Sequence, residues 1–150
     1  MKILGIDPGV TRIGFGVIEK QKNKLLPISF GLISRKEKDK YAMLREVVYE
    51  LNKLIEIHKP DAVAIEKLFF FKNQKTIMAV SEMRGVILSV LAQNNLPIHE
   101  FTPLQVKQAV SGYGRAGKDQ VEDMVRLILG IKDRIKPDDA ADGLAIAICC

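Results

Sequence analysis

The chain has 150 residues, 47% of them hydrophobic and 27% charged, the profile of an ordinary globular domain with one substantial core. Lys and Arg number 23 against 18 Asp and Glu, a formal charge of +5, which favours an anionic partner without naming it. No apolar run approaches the roughly 18 residues of a membrane span, the N-terminus lacks a signal-peptide pattern, and the two cysteines, Cys149 and Cys150, are adjacent, which excludes a disulfide scaffold and a Cys-rich zinc site. His58 and His99 are expected near the surface at the ends of elements. The expectation is a soluble, reduced, cytoplasmic protein forming a single domain over residues 1–150, too short for a two-domain nucleotide clamp.

In chain order, Ile3-Leu4-Gly5-Ile6 is a short apolar strand stopped by Asp7-Pro8-Gly9, a strong turn signal. A second strand runs through Gly14-Phe15-Gly16-Val17-Ile18 and a third from about Leu25 to Ser34, so the opening third reads as an antiparallel meander. Tyr41, Leu44, Val48, Leu51 and Ile55 then recur at three- and four-residue steps and predict an amphipathic helix. Ala62 to Glu66 is a buried-looking strand. A second helix carries Ile77, Val80, Ile87, Leu88 and Leu91, and a short strand, Ile98 to Phe101, leads to a helix beginning at Pro103. Gly112, Gly114 and Gly117 form a loop that carries Arg115. Two more helices follow, about Lys118 to Leu129 and from Asp138 onward. Strands alternating with helices extend the meander in parallel, giving an α/β sheet covered on both faces.

Four acids stand out by position. Asp7 closes the first strand and Glu66 the fourth, and an acid at the end of an apolar run is costly unless paired or bound to a cation. Asp139 and Asp142 are three apart and share a face of the last helix. Each has a plainer reading. Asp7 can form the turn, Asp138 can cap the helix, and Asp139 can complement its dipole. Convergent carboxylates nevertheless make the all-oxygen donor set that hard divalent ions require, and such ions support phosphodiester hydrolysis.

Gly5-Ile6-Asp7-Pro8-Gly9, Ala64-Ile65-Glu66, Gln105-Val106-Lys107-Gln108 and the run from Asp139 to Ala147 together resemble the RuvC family of bacterial Holliday-junction resolvases, in order and across nearly the whole chain. The resemblance implies a ribonuclease H-like mixed five-stranded sheet with helices on both faces. It further implies a homodimer that nicks four-way DNA junctions symmetrically with Mg²⁺ at two ions per site, Mn²⁺ being an admissible substitute, and that works beside the RuvA–RuvB branch-migration complex. By position, Asp7, Glu66, Asp139 and Asp142 correspond to the family's acidic tetrad, with Asp138 competing for the place of Asp139. Lys107 and Lys118 correspond to lysines the family needs for cleavage; read alone, they are also ordinary solvated lysines. The chain departs from the family at Gly143, where alanine is more usual, and stops at Cys150 in an apparently unfinished helix.

Phe69-Phe70-Phe71 cannot all face one core. By the resemblance Phe69 is the residue inserted at the junction centre, where an aromatic ring can stack on bases, whereas Phe70 and Phe71 serve equally well in dimer packing. Lys72, Lys75, Arg84 and Arg115 are candidate phosphate contacts, because backbone binding depends on charge rather than base identity. The helix bearing Ile77, Met78, Val80, Met83 and Val86 is the candidate dimer contact. Two rival readings rank below this one: a nucleotide-hydrolysing domain using Asp7-Pro8-Gly9 as a phosphate loop, which needs a second domain that 150 residues cannot provide, and a junction-binding relative without catalysis, which would lose an acid where all four are present.

Overall fold

The computed structural model describes residues 1–9, 12–33, 39–68 and 74–150, with the side chains of 74–76 left aside. Phe69, Phe70, Phe71 and Lys72 fall outside the described residues, as does the side chain of Lys75.

Strands β1 (Lys2–Asp7), β2 (Ile13–Gln21) and β3 (Lys24–Ile33) form the expected meander. β2 is longer than its apolar centre suggests, because polar Glu19 and Lys20 continue to pair with Leu26 and Leu25 of β3. Helix α1 (Lys40–His58) starts where the Asp39 carboxylate accepts the Ala42 amide at 2.7 Å and ends at Lys59 in the left-handed conformation. β4 (Ala62–Glu66), α2 (Gln74–Gln93) and β5 (Ile98–Phe101) complete the sheet, followed by α3 (Pro103–Ser111), α4 (Lys118–Leu129) and α5 (Asp138–Ile148). The strand order is β3-β2-β1-β4-β5, antiparallel within the meander and parallel from β1 through β4 to β5.

Alternation along each strand feeds two cores. Leu4, Ile6, Val63 and Ile65 face α1 and α2, meeting Val47, Leu51, Met83, Ile87 and Leu91. Ile3, Ile18 and Ala64 face the other way, toward α3, α4 and α5, and meet Val110, Val125, Leu144 and Ile146. Asp7 and Glu66 continue the second set, two residues beyond Gly5 and Ala64, so both carboxylates leave the sheet on the α5 side.

That side is floored with glycine. A β-carbon on Gly14 would lie 1.8 Å from the Asp139 carbonyl oxygen, and one on Gly16 would lie 2.6 Å from the Leu144 nitrogen. The reciprocal position on the helix, Gly143, would place a β-carbon 2.6 Å from the Phe15 carbonyl carbon. Gly143, expected from the resemblance to be a departure, therefore sits in the packing layer and permits a very close crossing of α5 over β2. The N-cap position of α5 is held by Pro137 rather than by Asp138, which is the first helical residue. At its other end the helix stops at Ile148, with Cys149 as its cap.

Gly14→Ala is expected to lower stability by about 1–3 kcal/mol, the usual cost of forcing an extra carbon into a filled layer. Urea unfolding with an unchanged m-value would register it, and a midpoint equal to wild type would show that α5 is free to retreat.

Candidate active site

Asp7 pairs with Gly14 in the β1–β2 register, and Gly14 lies directly beneath the backbone of Asp139. Asp142 projects from the next turn of the same helix. In the β1–β4 ladder Ile6 pairs with Ile65, so Asp7 and Glu66 emerge from neighbouring strands at one level. Asp7, Glu66 and Asp142 line one cavity of about 320 Å³, together with Pro103, Val106, Lys107, Lys118, Val121, Ala145 and Ile146. Acids from the two ends and the middle of the chain thus share one depression with two lysines.

The lysines arrive from two helix starts. Thr102 and Gln105 form a reciprocal capping box, the Thr102 hydroxyl accepting from the Gln105 amide at 3.2 Å and Gln105 Oε1 accepting from the Thr102 amide at 2.8 Å. This fixes the entry angle of α3 and hence the wall bearing Lys107. Gly112, at φ 71°, ends α3, and Lys118 opens α4 after the glycine loop. The Lys118 ammonium lies 3.5 Å from Asp142 although its side chain is 77% exposed.

Burial and mutual repulsion dominate the electrostatics. The Asp7 pKa is pushed up from 3.8 to about 7, first by burial and then by the charges of Glu66, Asp142 and Asp139, with Lys118 pulling the other way. Glu66 is likewise raised to about 7, by burial and by Asp142, against the pull of Lys118 and Lys107. Asp142 is also raised, because burial outweighs the Lys118 pair, and Lys118 is raised chiefly by Asp142. The pocket therefore gathers three carboxyl groups whose ionisation is costly there, first because they are buried and then because they repel one another, and its two lysines offset that cost only in part. An oxygen-only donor set is of the kind a hard divalent cation favours, and Asp7, Glu66 and Asp142 are the residues of this cavity that could hold one. As they stand, the described acidic, histidine and cysteine side chains include no group of three tight enough to enclose an ion. The carboxylates stand apart, and two of them are drawn to cations.

Asp139 is one of those two: its carboxylate lies 3.6 Å from the Arg12 guanidinium, a residue that no sequence motif singles out. Asp138 instead lines a smaller adjoining cavity with Lys118, Asp119, Glu122, Arg134 and Asp142. Arg115 is exposed on the glycine loop. Arg84 departs from the expectation of a phosphate contact. Its guanidinium turns inward to pair with the Glu100 carboxylate and donates from Nε to the Glu66 carbonyl at 3.2 Å. Glu100 and Arg12 lie far in sequence from the groups they serve, and no local spacing points to them. The Thr102–Gln105 box, by contrast, is a local pattern readable in the sequence.

A mixed sheet in this order, with acids at the ends of its two central strands and a third on the helix that crosses them, defines a ribonuclease H-like nuclease. The yeast mitochondrial Holliday junction resolvase Ydc2 shares the fold at 14% identity, with a TM-score of 0.68 over 98% of this chain and 77% of that one. Residues 3–150 match the model of the family described as crossover junction endodeoxyribonuclease RuvC. The RuvC of Petrotoga mobilis is 51% identical over 99% of this chain and 92% of its own length, and that of Thermosipho melanesiensis is 49% identical over 99% and 96%. The structure of T. thermophilus RuvC in complex with a Holliday junction substrate superposes at a TM-score of 0.91, with 32% identity over 99% of this chain and 92% of that one. The chain belongs to the RuvC family, and with it to the endonucleases that act on crossover junctions. This match across residues 3–150 displaces the phosphate-loop reading of Asp7-Pro8-Gly9.

The raised carboxyl pKa values carry a consequence for stability. Between about pH 4 and about pH 7 the native protein keeps protons on Asp7 and Glu66 that the unfolded chain has released, so stability falls as pH rises through that window. Thermal unfolding in chelator should show this fall, and Asp7→Asn should flatten it. A wild-type profile no steeper than that of the variant would mean that Asp7 is not strained by its neighbours. Mg²⁺ should restore more stability at the alkaline end of the window than at the acidic end.

Proposed function

We propose that this chain resolves four-way DNA junctions by paired, symmetric nicks that leave 5′-phosphate and 3′-hydroxyl ends, using divalent cations held by Asp7, Glu66 and Asp142 with Asp139 assisting. The observation that carries the reading is the single cavity into which β1, β4 and α5 deliver Asp7, Glu66 and Asp142, flanked by Lys107 and Lys118. When bound, Mg²⁺ or Mn²⁺ supplies polarisation of the scissile phosphate and acidification of water. The chain itself contributes orientation and charge. The carboxylates hold fixed positions on a strand–helix frame, and the two lysine ammonium groups, one on each wall, neutralise charge that builds on the phosphate oxygens. The apolar wall of Val106, Val121 and Ile146 limits water on the inner side.

Two such sites related by a two-fold axis suit a substrate that has to be cut at two equivalent strands. A homodimer through α2 supports this arrangement. Met83 faces the core, while Met78 is 69% exposed and Ile77, Val80 and Val86 are half-buried, an apolar strip available to a second copy. Arg115 and, in the segment after β4, Phe69, Lys72 and Lys75 are the proposed junction contacts. The RuvA–RuvB complex is the proposed partner, in the cytoplasm; among the described residues no helix is long and apolar enough to cross a membrane.

Incubation with an immobile synthetic junction and with linear duplex, each with and without Mg²⁺, tests the reading: symmetric nicks on the junction alone, and only with the cation, are expected. Asp7→Asn should abolish nicking while leaving junction affinity near wild type, since it removes a negative charge from a DNA-facing pocket. Lys107→Ala should slow the single-turnover rate by about a hundredfold, more than it weakens binding. A parallel loss in both would make Lys107 a backbone clamp.

A further inference from the structure

Arg84 occupies a place that neither DNA binding nor simple packing explains. It follows Met83, and Met83, Ile87, Val90 and Leu91 form the buried face of α2, so the helix delivers the guanidinium to the edge of the sheet where β4 and β5 end. There the side chain is only 15% exposed. Nε donates to the main-chain carbonyl of Glu66 at 3.2 Å, and Nη2 pairs with the carboxylate of Glu100, the β5 residue in register with Ile65. The Lys67 amide next door donates to the Phe101 carbonyl at 2.7 Å. The last residue of β4 is thus held from two sides, by the neighbouring strand and by α2, and its side chain is one of the cavity carboxylates.

We propose that Arg84, held by Glu100, is a positioning residue that fixes the backbone of Glu66 and thereby aims its carboxylate into the active-site cavity. This rests on the reading of Glu66 as part of the cleavage site. A guanidinium suits this role because its planar fork binds two acceptors in a set geometry, whereas a lysine ammonium on a flexible stem cannot fix both at once. The Arg84 side of the pair is sheltered while Glu100 is 42% exposed, so what the charge-assisted contact adds is direction rather than a large stabilisation. Without the fork, the end of β4 retains its strand neighbour but loses its tie to α2, and a displacement of about 1 Å at a catalytic group is enough to slow a reaction a hundredfold.

Arg84→Lys and Glu100→Gln separate this role from the alternatives. For each variant, junction affinity and its salt dependence are measured in chelator, the single-turnover nicking rate at saturating enzyme across a Mg²⁺ titration, Mn²⁺ binding by electron paramagnetic resonance, and thermal unfolding. Both variants are expected to nick about ten- to a hundredfold more slowly, with junction affinity and salt slope at wild-type values, a higher Mg²⁺ requirement and weaker Mn²⁺ binding. Loss of junction affinity with a salt slope reduced by about one for Arg84→Lys would make the residue a phosphate contact and overturn the proposal. Wild-type rates in both variants would also overturn it, whatever the change in melting temperature. If Arg84→Lys does not fold, Glu100→Gln carries the same comparison, because it removes the charge that holds the guanidinium and leaves only a neutral acceptor, with every group on α2 and β4 intact. Nicking by the wild type without any divalent cation would defeat the metal reading of Glu66, and the rate-against-affinity comparison would still decide the role of Arg84.

Discussion

The close crossing of α5 over β1 and β2 is the constraint from which the rest of the molecule follows. Side chains normally hold a helix well clear of a sheet, but Gly5, Gly14 and Gly16 below and Gly143 above remove that spacer where the two meet. The helix is driven down by its own burial: Ala140, Leu144, Ala145, Ile146 and Ala147 are all withdrawn from solvent. Dense packing of this kind has no slack, so the axial position of α5 is set by the sheet rather than by its loops. Asp139 and Asp142 inherit that precision. Their approach to Asp7 is a by-product of apolar packing, which is the force strong enough to hold like charges together.

Repulsion among those acids is therefore a load that the core carries. Burial and the neighbouring carboxylates raise Asp7 and Glu66 by a similar route, and the nearby cations relieve the load only in part. Arg12 reaches Asp139, and Lys118 reaches Asp142, but both cationic side chains are well exposed, at 62% and 77%. Exposed pairs of this sort contribute little, so little would be lost if a bound cation displaced them. The weakness of the Lys118 pair is compatible with the role proposed for that lysine, since a side chain locked tightly to Asp142 would be withheld from a phosphate.

Much of the architecture could be read from local pattern. The strands announce themselves by apolar runs ended at Asp7-Pro8-Gly9 and at Glu66, the helices by three- and four-residue periodicity, and the parallel extension by the alternation of the two. The acids at strand ends were legible for the same reason, since a carboxylate in an apolar run needs a cause. What escaped were relations that only folding creates. Arg84 looks in sequence like any exposed helical cation, and nothing local says that Glu100, sixteen residues on, will draw it inward. Asp138 looks like a cap because acids often are, yet Pro137 takes that position with its fixed φ of −73°. Arg12 lies beyond a turn, and its partner lies at the far end of the chain.

The two cores also divide the work of the molecule. On the α1–α2 side, large branched residues such as Ile6, Ile13, Leu51, Ile65 and Ile87 fill the layer, and the helices are held at ordinary distance. On the α3–α5 side, glycines line the crossing of α5 over β1 and β2, and the helices are short and separated by glycine turns at Gly112 and Gly130. The first layer provides mass and, on the proposed reading, the surface for a second copy; the second provides access, because short helices can open a cavity at their N-terminal ends without leaving a long unpaired backbone. Arg84 crosses between them. It belongs to the bulky layer by its helix and to the reactive layer by its hydrogen bond to Glu66, so a change at the α2 surface has a direct mechanical route to the end of β4.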